Sequence, residues 1–478
     1  MKFCRQRFLW SALVGLGCAA APGPRPTLDL PLQSEASSVP DRVLVISIAR
    51  LTPDRYAPTP GIPVAMPTLR AMAQQGVAAD AVTSVSPAAS YPAHATVVTG
   101  QLPATHHIPA DLRLGKRGTR SARYWHASHL ESTSLWEVAA RSGLSVAALA
   151  WPTTVGAPIP WLVSDIVPTR SGETWMDVLF DAATPDLLAV LRSHGADRVG
   201  ADVEGEARDA ALVSTACALL ASSAPPSLTL IRLSQTVSPV AFEGAESQPA
   251  RAAFARADAE VGRLLACLGE AGRLAGTAVI ALGDHGTLPV HTMVSPNVML
   301  AAEGLLTVDD ETGAIAEWAA IARSNGGSAF VYSEADRDAV HARKLLEEQA
   351  RFTRAFRVVS AKEMLAHGAD REAWFGLEAE PGFFFGDVAT GPLLQPGALR
   401  AVGGYFSERP AMDAGFVAWG RGLRSGVRVP RMELADIGPT VAALLGVELT
   451  PELESSSDAA NELRGRTLVG ILSLPRSR

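Results

Sequence analysis

Arg42-Val43-Leu44-Val45-Ile46-Ser47-Ile48 holds four consecutive apolar residues, Val43 to Ile46, and its apolarity is continuous rather than alternating between an inward and an outward side. A strand carries such a run when both of its faces are covered, as in a parallel sheet buried between helices. The same texture returns further along the chain. Val146 to Ala150, Leu228 to Leu233 and Thr277 to Leu282 are short apolar runs, and Met66 to Gly76, Ala207 to Ala221 and Ala252 to Leu268 carry apolar residues at helical spacing. Strands alternating with helices predict an α/β fold with a doubly wound, mostly parallel sheet flanked by helices. Ligands of such sheets sit beyond the carboxyl ends of the strands, so the residues just after each run are the ones that could carry chemistry.

The pattern changes between about 301 and 400. Ala329 to Tyr332 and Phe356 to Val359 read as strands around a charged amphipathic helix, Glu334 to Ala350. We expect a small inserted α+β cap at 301–400, dividing the core into 41–300 and 401–478. The last part holds a strand within Ala414 to Gly420 and a helix opening at Asp436-Ile437-Gly438-Pro439-Thr440 and stopped by Gly446.

The N-terminus has a different composition. Lys2, Arg5 and Arg7 precede a short apolar run, Phe8 to Leu16, and the small residues Gly17 to Ala21. This is the pattern of an export signal over residues 1–21. Cys18 stands where a lipoprotein signal places its acylated cysteine, and cleavage among the alanines is the other reading; both stay open. The first predicts a membrane-anchored lipoprotein, the second a periplasmic protein. Residues 22–40, rich in Pro, Ser and Gly, read as a tether. Beyond the signal only Cys217 and Cys267 remain, both in helical stretches. An oxidising compartment permits them to pair, and small buried thiols are the alternative. A cysteine-built zinc site is excluded for want of ligands. The net charge of −7 argues against nucleic acid as a partner.

Four ordered segments carry more specific information: Val43 to Asp54 (VLVISIARLTPD), Pro87 to Gly100 (PAASYPAHATVVTG), Ala281 to Gly286 (ALGDHG), and Gly403-Gly404-Tyr405 followed by Pro410, Met412 and Phe416. Together they resemble the type I phosphodiesterase/nucleotide pyrophosphatase family of the alkaline phosphatase superfamily, including its bacterial phosphonoacetate hydrolase-like branch. The resemblance runs from about residue 40 to the C-terminus. It implies an alkaline phosphatase-like fold and a mechanism in which two zinc-like ions about 4 Å apart clamp the attacking and leaving oxygens at phosphorus. A Thr or Ser at a helix start, deprotonated by one ion, would be the nucleophile.

Ser90 occupies the nucleophile position, and Asp284 and His285 match one metal-binding pair. Elsewhere the family pattern is broken. Ala49 replaces the first-motif Asp, Arg50 the glycine after it, Gln235 and Pro239 the Asp and His of the middle strand, Gly403 the last His, and Ala93 the Asn or Ser near the substrate. Ala, Pro and Gly have no donor atom, and an amide is a poor ligand for zinc. We therefore expect no resident cofactor, or at most one divalent zinc-like ion at Asp284 and His285. Ser90 reads either as a nucleophile or as a plain helix N-cap. Arg50 is a cation where an ion's carboxylate would stand, and could pair with Asp284 or hold an anion. His291 is the candidate replacement ligand. His94 is expected to pack or hydrogen-bond within its helix, and His106, His107, His126 and His129 to lie in solvated loops. Asp54 should point away from the strand end.

Two functions follow. One is an exported, catalytically impaired or inactive homologue that binds a small anionic ligand or a protein partner. The other is a divergent phosphoester hydrolase using Ser90 with at most one metal ion.

Overall fold

The computed structural model describes residues 30, 39–57, 65–115, 122–200, 203–450 and 463–474. The export-signal segment and Cys18 lie outside the described residues, as does most of the 22–40 tether. An eight-stranded sheet forms the centre, in the order Val427–Val429, Val77–Ala79, Phe416–Gly420, Thr277–Leu282, Arg42–Ile48, Leu228–Leu233, Val146–Trp151, Trp161–Ser164. The last five are mutually parallel, and Phe416–Gly420 runs antiparallel against Thr277–Leu282. The mostly parallel sheet flanked by helices is the architecture that the apolar runs predict.

Each central strand buries both faces. Leu44, Ile46 and Ile48 point into a core shared with Leu69 and Met72 of the Pro67–Gln75 helix, Leu212 of Glu206–Ala221 and Phe254 of Gln248–Glu270. Val43 and Val45 point the other way, toward Val97 and Val98 of Ser90–Thr99, Trp136 of Leu135–Arg141 and Val441 of Ile437–Leu444. Cys217 and Cys267, on the Glu206–Ala221 and Gln248–Glu270 helices, form a disulfide.

Residues 320–379 build a separate antiparallel sheet in the order Ala320–Ser324, Ser328–Ser333, Phe375–Ala379, Phe356–Ser360, packed by the Asp336–Thr353 helix. A third sheet pairs Leu288–Val294 with Gly382–Phe385 and Leu394–Pro396. Apolar residues from these layers share a core of their own, including Val290, Leu346, Phe375 and Phe385. No helix among the described residues is long and apolar enough to cross a membrane.

Candidate functional site

The strand ends converge as a doubly wound sheet requires. Ile48 leads into Ala49 and Arg50, Leu282 into Gly283, Asp284 and His285, Leu233 into Ser234 and Gln235, and Ser164 into Asp165. Ser90 is the first residue of the Ser90–Thr99 helix, after Ala89 in extended conformation. It is not a cap: its Oγ donates to Asp284 Oδ2 at 2.8 Å. The other carboxylate oxygen, Oδ1, accepts from the backbone N–H of Arg50 at 2.7 Å and of His285 at 2.9 Å. Burial alone would raise the Asp284 pKa, but His285, His94, Arg232 and the Arg50 amide hold the carboxyl well below the usual carboxylate range.

Arg50 makes that amide contact by taking φ of 60°, the left-handed region that costs a residue with a side chain about 1–2 kcal/mol. Its guanidinium forms no ion pair with Asp284 and donates to Val237 O at 3.0 Å. The cation at Ser90 is a different residue. Arg232, in the Leu228–Leu233 strand, directs Nη2 to Ser90 Oγ at 3.2 Å and Nη1 to Asp165 Oδ2 at 3.3 Å. Arg208 holds Asp165 Oδ1 at 2.6 Å and Ser234 Oγ at 3.1 Å, and the Tyr91 hydroxyl donates to Asp165 Oδ2 at 3.1 Å. Burial opposes ionisation of Asp165, but Arg232 and Arg208 bring it down to about 2. Burial likewise opposes the charge on Arg232, and Asp165 and Asp284 reverse that, raising its pKa. The network is closed off from water, with Ser90 8 %, Asp284 1 % and Arg232 6 % exposed.

Asp165, Arg208, Arg232 and Tyr91 are therefore parts of the site that sequence reasoning missed. Arg232 left a signal, a charged residue inside an otherwise apolar central strand. The others carry no comparable mark.

The remaining candidates fall as follows. His94 is buried, with Nδ1 on Ser90 O at 2.7 Å, Nε2 on Ser47 Oγ at 2.8 Å and its ring edge-on to Trp151. His291 is exposed, beside Thr292 and Phe383. His107 and His126 are exposed, but the expected solvation of His106 is wrong. It ends the short Pro103–His106 helix fully buried, between Thr96 Oγ1 at 3.0 Å and the Ile108 amide at 3.1 Å.

The parallel sheet, the serine at a helix start and the Asp-His pair at a strand end define a protein of alkaline phosphatase-like fold. A type I phosphodiesterase/nucleotide pyrophosphatase model matches residues 43–392, and the chain belongs to that family. No curated protein sequence matches significantly. Among solved structures, murine ectonucleotide pyrophosphatase/phosphodiesterase 5, an inactive variant in complex with AMP, aligns with TM-score 0.61 and 17% identity, over 86% of this chain and 96% of that one. The human counterpart aligns with TM-score 0.61 and 16% identity, over 85% and 95%. At this identity the likeness speaks for the fold alone.

Members of this family typically depend on metal, zinc above all, and the donors here do not fit an ion pair. Gln235 is buried with Oε1 on Arg256 Nε at 3.3 Å, and Pro239 lies in the Val237–Glu243 helix. The side-chain space at Gly403 is taken: a Cβ there would stand 2.5 Å from the His285 ring. His285 itself spends Nδ1 on Gly286 O at 2.8 Å. No group of three or more His, Cys, Asp or Glu side chains suited to a metal occurs among the described residues. A guanidinium touching Ser90 adds a fixed positive charge that a neighbouring dication would have to oppose.

Proposed function

We propose that this chain is an exported, catalytically silent member of the family that works by binding a small anionic ligand or a protein partner. One observation carries the reading. The nucleophile-position hydroxyl is held by Arg232 at 3.2 Å and by Asp284 at 2.8 Å, while the surrounding ligand positions are Ala49, Gln235, Pro239 and Gly403. A serine hydroxyl near its normal pKa is a feeble nucleophile toward phosphate esters unless a base or metal activates it. Asp284 is a poor base, because its surroundings stabilise the carboxylate. Export is supported by the Cys217–Cys267 disulfide, a bond that persists in oxidising compartments. The basic-then-apolar N-terminus agrees, with Cys18 as the lipid acceptor in the anchored form.

The second reading, a Ser90 hydrolase with at most one ion at Asp284 and His285, draws on the Ser90–Asp284 hydrogen bond. Metal analysis of the folded protein together with assays on aryl phosphate mono- and diesters separates the two. The silent reading expects substoichiometric metal and no turnover above that of a Ser90→Ala variant. Bound ions at one or two per chain with turnover abolished by Ser90→Ala would overturn it.

A further inference from the structure

Beside the closed network lies an open space that the silent centre does not use. A cavity of about 180 Å³ is lined by Ala89, Asp111, Leu112, Arg123, Ser324 and Asn325. It reaches the residue immediately before Ser90, and it adjoins a larger cavity of about 490 Å³ through Leu112, Ser324 and Asn325, which line both. The larger space is walled in part by Tyr124, Trp318 and Tyr332.

The polar groups of the small cavity are incompletely used. Arg123 lies over the Tyr91 ring, 5.9 Å from its centroid, and among the described residues no carboxylate or carbonyl accepts a hydrogen bond from its guanidinium. The Asn325 amide nitrogen is buried without a partner. Asp111 gives Oδ1 to the Tyr91 amide at 2.8 Å, and among the described residues its second oxygen accepts no hydrogen bond. Asn325 is nonetheless fixed in place. Its N–H donates to Ser328 O at 2.8 Å, and Gly404, at φ 79°, passes so close that any Cβ would collide with the Asn325 carbonyl.

A half-buried guanidinium and an orphan amide are donors that await an oxyanion, because a guanidinium fork matches a carboxylate or phosphate in two parallel hydrogen bonds. The Asp111 carboxylate would repel a bare anion at this range unless the ligand also brings a donor to it. We propose that this cavity binds a small organic oxyanion, a carboxylate or phosphate monoester, that also carries a hydroxyl group. Arg123 and Asn325 take the anionic head, Asp111 accepts from the hydroxyl, and any longer body extends into the larger cavity. The proposal deepens the binding reading above by naming the ligand class.

The test is calorimetric titration of the full chain, at fixed ionic strength, with glycerol phosphate, with glycerate, and with propionate as the anion without hydroxyls. The expected result is saturable binding of glycerol phosphate or glycerate, weakened roughly tenfold or more by Arg123→Met, since a hydrogen bond to a charged group is lost. Propionate should bind more weakly than glycerate. Glycerol phosphate against glycerate then tells which head the site takes. Asn325→Ala, which keeps the backbone bond to Ser328, is the second variant should Arg123→Met fail to fold, and it should weaken binding in the same direction. No saturable binding of either hydroxylated probe, or equal binding by wild type and folded variants, would overturn the proposal, and propionate matching glycerate would overturn the role of Asp111. Aryl phosphate turnover measured on the same samples stands apart: turnover with binding intact defeats the silent reading alone, and lost binding without turnover defeats the cavity alone.

Discussion

Arg232 Nη2 lies 3.2 Å from Ser90 Oγ, and the same guanidinium reaches Asp165, so the hydroxyl at the nucleophile position is tied to a buried ion cluster. Arg208 completes that cluster on the other oxygen of Asp165. Arg232 thereby places a fixed positive charge beside the hydroxyl.

The first prediction concerns this cation. Arg232→Met keeps length and apolar bulk but leaves Asp165 and Asp284 with less compensation inside the fold. Removing one partner of a buried ion pair costs about 3–5 kcal/mol, tempered here because Arg208 still holds Asp165 at 2.6 Å. Urea unfolding should show a loss of at least roughly 2 kcal/mol by that reasoning. A loss no larger than that of an exposed control such as Arg343→Met would mean the cluster is incidental.

Restoring a family ligand should harm the protein rather than revive it. In Gly403→His the new Cβ would stand 2.5 Å from the His285 ring, with the backbone carbonyl of Ala88 at 2.9 Å on the same side. Overpacking of this sort costs about 1–3 kcal/mol. The variant is expected to melt several degrees below wild type, and added zinc should not recover it. Full recovery by zinc would show that His285 can swing aside and that a metal site remains accessible.

Much of this was readable in the residues. The consecutive apolar residues Val43 to Ile46 report a strand buried on both sides, and the expected stop at Gly446 bounds its helix at positive φ. Ser90, Asp284 and His285 were located because their motif segments are contiguous. What could not be read is how distant side chains meet. Asp165 and Arg208 are 43 residues apart and come together only when the Glu206–Ala221 helix packs on the Val146–Trp151 and Leu228–Leu233 strands beside the end of Trp161–Ser164. Arg50 follows Ala49 directly, whereas Arg232 reaches Ser90 only through the pleat of a middle strand. The burial of His106 is not legible in the sequence, because nothing around it marks Thr96, ten residues earlier, as its hydrogen-bond partner.

The disulfide offers a third check. Cys217 and Cys267 are 50 residues apart and clamp the Glu206–Ala221 helix to Gln248–Glu270, spanning the Leu228–Leu233 strand that carries Arg232. Closing a loop of this length restricts the unfolded chain by about 2–4 kcal/mol. Cys217→Ala and reduction of the wild type should each lower urea stability by that order, and reduction should leave Cys217→Ala unchanged. Equal sensitivity of the variant to reductant would place the effect elsewhere.

Stability should also depend on pH in a defined direction. Burial, then Arg232, push His94 down to about 4, and burial pushes His106 down to about 3, against an ordinary value of about 6.5. As pH falls below about 6.5 the unfolded chain takes up these two protons and the folded one does not, so both histidines draw stability away with acid. Asp209 acts in the opposite sense. Burial raises it to about 6 although the amides of Ser234 and Gln235 oppose the shift, so the folded state keeps a proton that the unfolded chain releases above about 3.9. Among these three groups the balance between about pH 6 and pH 4 is two protons against one, a contribution of about 1.4 kcal/mol lost per pH unit toward acid. Asp209→Asn removes the opposing contribution, and its stability should fall more steeply than that of wild type over that interval, by about 1.4 kcal/mol per pH unit. Urea unfolding at half-unit pH steps reads both slopes; parallel profiles for wild type and Asp209→Asn would show that Asp209 does not hold its proton in the fold.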